Sequence, residues 1–168
     1  MKRLLLVLAL AALLAAPAQG ATLLRLDGIG PLKLGMSRSA GLDTGWLSNR
    51  MTGCELGGKP YPIGYNLKGS QAPNGIEGVA EFTSGTLRTM TFRGGVRTAT
   101  GVVPGKTTWA GMVRRYRDAG FKANARYDTT FAATFVTVRR PSGKRVLGGF
   151  ADGKVVNAIG IPYVPVCE

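Results

Sequence analysis

The side chains with most chemistry to offer are basic, and they are gathered. Arg139, Arg140, Lys144 and Arg145 flank a Pro141-Ser142-Gly143 turn, so four positive charges meet at one hairpin tip. Arg114, Arg115 and Arg117 crowd a second short stretch. Residues 97–168 hold 12 basic and 4 acidic residues, against 8 and 5 in residues 22–96. Such a field attracts anions: acidic proteins, anionic cell-wall polymers, anionic lipid headgroups or nucleic acid. The bland alternative is a basic surface without a partner. Nucleic acid is not expected among the partners, because no aromatic platform interleaves the basic residues in a recognisable motif.

A nucleophilic site needs a base beside the nucleophile, and the chain contains no histidine. Ser37, Ser39, Ser84 and Ser142 fall at expected caps or turns, where hydroxyls serve the backbone. Paired carboxylates can share acid and base work. Glu77 and Glu81 would lie on one strand face with Val79 between them, and a solvated face is the plainer reading of that spacing. Gly101-x-x-x-Gly105-Lys106-Thr107 is one residue short of a phosphate-binding loop, so it reads as a turn into a capped helix. No enzyme, catalytic residue, cofactor or metal site is therefore expected. Cys54 and Cys167, the two cysteines, read as one disulfide in an oxidising compartment. Two free thiols or a metal pair is the competing reading. In the chain-entropy account so long a closed loop stabilises the fold by roughly 4–5 kcal/mol.

Lys2-Arg3 precedes the uncharged apolar run Leu4–Ala16, and small residues follow at Ala16-Pro17-Ala18 and Ala18-Gln19-Gly20. Residues 1–20 thus read as an export signal peptide, too short to span a bilayer. No transmembrane segment is expected. The mature product is expected to be secreted or periplasmic, at the cell envelope. Loss of Lys2 and Arg3 with the signal lowers the formal net charge from +13 to +11.

Two stretches must position these groups. In Gly101–Gly120, Thr107 or Thr108 can cap a helix. Trp109, Met112, Val113 and Tyr116 share one helical face, and Gly120 is a natural stop. Gly28–Ala40 looks like a weaker copy. Ser37 is its cap candidate, and a helix between about 37 and 49 is broken by Gly41 and Gly45, at about 1 kcal/mol each. Short β segments follow each copy. In the first half these are an alternating stretch through Tyr61, Ile63, Tyr65 and Leu67, then Ile76–Thr83, a Ser84-Gly85 hairpin connection and Thr86–Arg93. In the second half they are Phe121–Arg126, Thr130–Arg140, Lys144–Ala151, an Asp152-Gly153 hairpin and Lys154–Ile161. Gly35 aligns with Gly105, Ser37 with Thr107, Phe82 with Phe150, Gly85 with Gly153 and Leu87 with Val155. The expected fold is α+β: two tandem helix-then-antiparallel-strand units, 21–96 and 97–168, forming one sheet with the helices packed on one face. Trp46, Trp109, Tyr116, Phe131 and Phe135 are expected in the core. Tyr61 and Tyr65 are candidates for exposed contacts.

The segments Gly28-x-Gly-Pro-x-x-x-Gly-Met-Ser37, Gly101-Val-Val-Pro-Gly-Lys-Thr107, Phe150-Ala-Asp-Gly-Lys-Val-Val156 and Ile161-Pro-Tyr-Val-Pro-Val-Cys167 resemble secreted bacterial proteins of unknown function. The helix-plus-sheet units also resemble modules of the beta-lactamase inhibitory protein and of small envelope lipoproteins. That resemblance implies an α+β fold whose open sheet face binds a protein. It carries over no functional residue, and the missing lipobox cysteine departs from the lipoproteins. The expected function is a secreted, non-enzymatic binding or inhibitor-like module. Its surface would be Thr89, Thr91 and Arg93, the tip at Arg139, Arg140, Lys144 and Arg145, and Tyr61 and Tyr65. The alternatives are an envelope-associated protein held to anionic cell-wall polymer or lipid by its basic surface, and an enzyme with an unrecognised site. Partner and oligomeric state stay open.

Overall fold

The computed structural model describes residues 20–55 and 59–166. The expected export signal up to residue 19 and Cys167 lie outside these residues.

Helix α2 (Trp109–Asp118) forms where the apolar spacing and caps agree. The Thr108 hydroxyl accepts from the Gly111 N–H at 3.0 Å. At the other end Gly120 takes φ +83°, and the Phe121 N–H closes onto the Tyr116 carbonyl at 2.9 Å. Met112, Val113 and Tyr116 are buried, while Trp109 is only half-buried. Burial raises the Tyr116 pKa above its ordinary value of 10.0, opposed by hydrogen bonds from Thr98 and Thr100. Two of the helix arginines hold backbone rather than pointing free. Arg115 donates to the Gly101 carbonyl, and the Arg117 Nε donates to the Ala123 carbonyl at 2.7 Å.

Helix α1 (Arg38–Asp43) is shorter. Ser37 caps it through the Ala40 N–H. Gly41, poor for helix formation, sits where a Cβ would lie 2.9 Å from the Phe82 ring. Close packing on the sheet explains the glycine. The expected helix to about residue 49 stops at Asp43, and Ser48–Thr52 runs as a strand instead.

Among the described residues, eight strands form the main sheet. Four follow α1: β4 (Ser48–Thr52), β5 (Ile63–Asn66), β6 (Glu77–Thr83) and β7 (Thr86–Gly94). Four follow α2: β9 (Lys122–Asp128), β10 (Ala133–Arg139), β11 (Arg145–Ala151) and β12 (Ala158–Ile161). The order is β4-β5-β6-β7-β12-β11-β10-β9, antiparallel throughout. Each set of four is a meander, and the sets join where Phe92 faces Ile159 and Met90 faces Ile161. These four side chains are fully buried. Both helices lie on this apolar face: α1 against Phe82, and α2 with Met112 against the backbone of Gly149.

The expectation of one sheet is corrected by a second. β1 (Thr22–Arg25), β2 (Gly28–Ile29), β3 (Leu32–Lys33) and β8 (Val96–Thr98) form a four-stranded sheet of order β3-β2-β1-β8. Its β1–β8 pair is parallel, so β8, which straddles the expected boundary at 96/97, returns to β1. This sheet adds Leu24, Ile29, Leu32 and Val96 to the same core.

Strand β12 also starts later than the Asp152-Gly153 signal implies. Val155 and Val156 leave β11 for the start of α2: the Val156 N–H bonds the Thr107 carbonyl, and the Gly105 and Trp109 N–H groups bond the Val156 and Lys154 carbonyls. The loop from Gly101 to Thr107 makes no anion cradle. The N–H groups of Gly101, Val103, Gly105, Lys106 and Thr107 are each paired within the chain.

Candidate functional site

Strand parity decides which side chains stand on the helix-free face. On β10, Val136 and Val138 point into the core, so Phe135, Thr137 and Arg139 point away from it. Register then recruits their neighbours. Arg126 lies opposite Phe135 and Asn124 opposite Thr137 on one side, while Phe150 and Arg145 lie opposite Phe135 and Arg139 on the other. A bulge at Val138/Arg139 lets Arg139 and Arg145 pair at the end of the ladder.

The result is a groove of about 330 Å³ lined by Arg126, Arg139 and Arg145 with Asn124, Thr137, Phe135 and Asp128. Beside it runs a row of half-buried aromatic rings. Phe131 and Phe135 meet edge-on at 5.8 Å, and Phe135 and Phe150 at 5.5 Å. A smaller groove of about 190 Å³ continues from Thr137 and Arg145 to Tyr163 and Val164. Guanidinium groups supply planar forks for carboxylates, and the ring row supplies apolar area next to them.

The middle of the same face is covered. After β12 the chain turns back as an extended strap, residues 162–166, across β11 and β12. Gly148 and Gly160 face each other in register there. A Cβ on Gly160 would lie 2.2 Å from the Tyr163 carbonyl oxygen, and one on Gly148 2.9 Å from the Val164 nitrogen. Only two adjacent glycines let the strap backbone lie this close. Further on, the strap reaches Cys54, whose Sγ is 3.6 Å from the Val166 carbonyl oxygen. Cys54 is not a free thiol.

Under the strap stands Glu81, 8% exposed. Its Oε1 accepts from the Cys54 N–H at 2.8 Å, and its Oε2 from the Thr89 hydroxyl at 2.9 Å.

No protein-family model, curated protein or solved structure matches this chain.

The surface residues expected from the sequence divide. Arg139 and Arg145 enter the groove. Arg140 and Lys144 are exposed at the same turn but do not line it. Arg139 also ties the turn down, donating to the Gly143 carbonyl at 2.9 Å. Thr91 is half-buried and Arg93 exposed on β7. Thr89 is corrected: at 2% exposure it is a buried partner of Glu81, not part of an open face. Tyr65 is corrected too. It is buried and meets Phe82 edge-on at 5.8 Å, because odd-numbered residues of β5 face the core. Tyr61 is exposed, with Lys59 over its ring. The expected solvated carboxylate face of β6 fails at Glu81, which the strap and the Cys54 loop cover. Phe131 and Phe135, expected in the core, belong to the helix-free face. Arg126 was missed. The alternation of Lys122, Asn124, Arg126 and Asp128 carries a signal for it, but only once β9 is known to pair with β10.

Proposed function

We propose that this protein is an exported, non-enzymatic binding module that recognises an acidic protein partner through the β9–β11 end of its helix-free sheet face. One observation carries the reading: Arg126, Arg139 and Arg145 converge on a groove bordered by the Phe131, Phe135 and Phe150 row. Arginine and aromatic residues are the side chains that dominate protein interfaces. A purely anionic polymer would use the charge and leave the rings idle, so the rings favour a protein. The resemblance noted above agrees in placing a partner on an open sheet face.

The same reading takes the chain as two tandem units. Around α1, the Leu87 N–H bonds the Met36 carbonyl, and the Gly35 and Arg38 N–H groups bond the Leu87 and Gly85 carbonyls. The bonds of Val156 with Thr107 and of Trp109 with Lys154 follow the same plan, with one residue more between Gly105 and Thr107 than between Gly35 and Met36. This equivalence pairs Ser37 with Thr108 and Leu87 with Val156, one residue on from the alignment read by residue type. In the same reading Cys54 and Cys167 form the disulfide that ties down the strap.

The test is a photo-crosslinking residue at Thr137, with a control at Lys68, in protein exposed to the parent envelope at physiological salt. A discrete protein adduct at Thr137, absent at Lys68 and abolished by Arg126→Glu/Arg139→Glu/Arg145→Glu, is expected. Equal adducts at both positions, or adduct formation untouched by the triple change, would overturn the reading.

A further inference from the structure

The covered part of the sheet face holds a second cavity, with a carboxylate residue in its wall. Beside the strap lies a cleft of about 740 Å³, within the roughly 300–1,000 Å³ of small-molecule sites. Its walls are largely apolar: Leu34, Leu87, Pro60 and Pro62 face Pro162 and Val164 of the strap. Set into this wall is the carboxylate of Glu81. Glu81 also lines a smaller cavity of about 360 Å³ with Pro165 and Thr91.

Among the described residues, the two groups that bond Glu81, the Cys54 N–H and the Thr89 hydroxyl, are neutral. An ionised carboxylate offers about four lone-pair positions, and each oxygen here uses one for the protein. Among the described residues, no Lys or Arg nitrogen lies within 4.0 Å of it. Arg88 also lines the cleft but is solvent-exposed. A buried carboxylate gains most from a cation set directly against it. Apolar walls around it select what that cation is attached to.

From this we infer that the cleft binds a small hydrophobic primary amine. The ammonium donates to the free positions of the Glu81 carboxylate, and the apolar body lies along the prolines and Val164. A single carboxylate matches a single ammonium. Arg88 disfavours a second positive charge, so diamines and polyamines are rejected. The site is separate from the basic groove: Glu81 and Arg88 belong to β6 and β7, and the groove to β9–β11.

The experiment titrates the mature protein with hexylamine, hexan-1-ol, hexanoate and 1,6-hexanediamine, followed by amide chemical shifts. Hexylamine should bind saturably and move the Thr89 and Val164 amides, with the other three weaker by at least about tenfold. Glu81→Gln keeps an acceptor for the Cys54 N–H; it should weaken hexylamine by at least about tenfold and leave hexan-1-ol unchanged. Should that variant fail to fold, Arg88→Glu decides, because Arg88 is exposed. It should tighten hexylamine and admit the diamine. Arg126→Glu/Arg139→Glu/Arg145→Glu should bind hexylamine like the wild type. Equal affinity for hexylamine and hexan-1-ol, no saturable binding, amine affinity unmoved in a folded Glu81→Gln, or no response in Arg88→Glu would each overturn the inference.

Discussion

At β9–β11 the helix-free face is open and stands up in arginine and phenylalanine side chains, whereas at β11, β12 and β7 the same face is low and carries the chain's own strap. The two regions share one sheet, one set of backbone bonds and one core on the far side. What separates them is side-chain height. Gly148 and Gly160 leave backbone to pack on backbone, so the protein covers that part itself. Two ladder positions along β10 and β11, Phe135 faces Phe150, and no strap of the described residues lies over the rings. The covered region thereby acquires a buried carboxylate, and the uncovered region keeps exposed cations.

The strongest way to break this contrast is to raise the floor under the strap. Gly160→Val places a branched side chain where even a Cβ would lie 2.2 Å from the Tyr163 carbonyl oxygen. Backbone on both sides gives little room to yield. Overpacking of this kind destabilises by about 1–3 kcal/mol, read by urea unfolding. The amide chemical shifts of Tyr163 and Val164 should move toward unstructured values, and hexylamine binding should vanish. Crosslinking at Thr137 should survive. Wild-type strap shifts in this variant would mean the glycine pair does not seat the strap.

A somewhat smaller effect is expected from Thr89→Val. The change keeps the volume and removes the hydroxyl that donates to Glu81 Oε2. Loss of a buried hydrogen bond destabilises by about 0.5–1.5 kcal/mol, and the adjoining cleft lets water offset part of it. The same variant also tests Thr89 as a partner contact. Unchanged crosslinking at Thr137 together with a lower unfolding midpoint assigns it to the interior. An unchanged midpoint would mean that the Cys54 N–H alone holds the carboxylate.

Local chemistry was legible in the sequence where it was sufficient. The α2 caps, its buried stripe and the stop at Gly120 follow from residue type and spacing alone. So does the Ser84-Gly85 turn, whose residues both take positive φ. The basic tip at 139–145 was legible as a concentration of charge. Long-range register was not. Parity on β7 gives Thr89 and Thr91 the same face, but only the strap and the Cys54 loop bury one and leave the other half-exposed. Phe135 reads as core by hydrophobicity, yet Val136 and Val138 take the core side and leave it outside. Nothing near residues 22–33 announces a second sheet, because its closing strand β8 comes from residues 96–98 and pairs in parallel. The lateness of β12 has the same origin: Val156 is fully buried against the start of α2, a tertiary demand that the turn signal at Asp152-Gly153 does not contain.

The smallest stability effect is expected at the open end, and it sharpens the contrast most. Arg145 is exposed, and neither its side chain nor that of Arg126 makes a hydrogen bond or ion pair among the described residues. Removal of a solvated side chain without partners leaves stability within about ±0.5 kcal/mol. Arg126→Ala and Arg145→Ala should therefore unfold at the wild-type urea midpoint. Arg139→Ala should fall slightly below it, since that guanidinium also holds the Gly143 carbonyl. Partner capture should respond in the opposite order of magnitude: each of the three should weaken it, and the steepness of its salt dependence should decrease as charges are removed. Residues that matter to binding and not to folding are what an interface on an open face requires. If Arg126→Ala and Arg145→Ala instead lowered the unfolding midpoint as far as Thr89→Val does, those arginines would belong to the fold, and the open end would lose its claim to a partner.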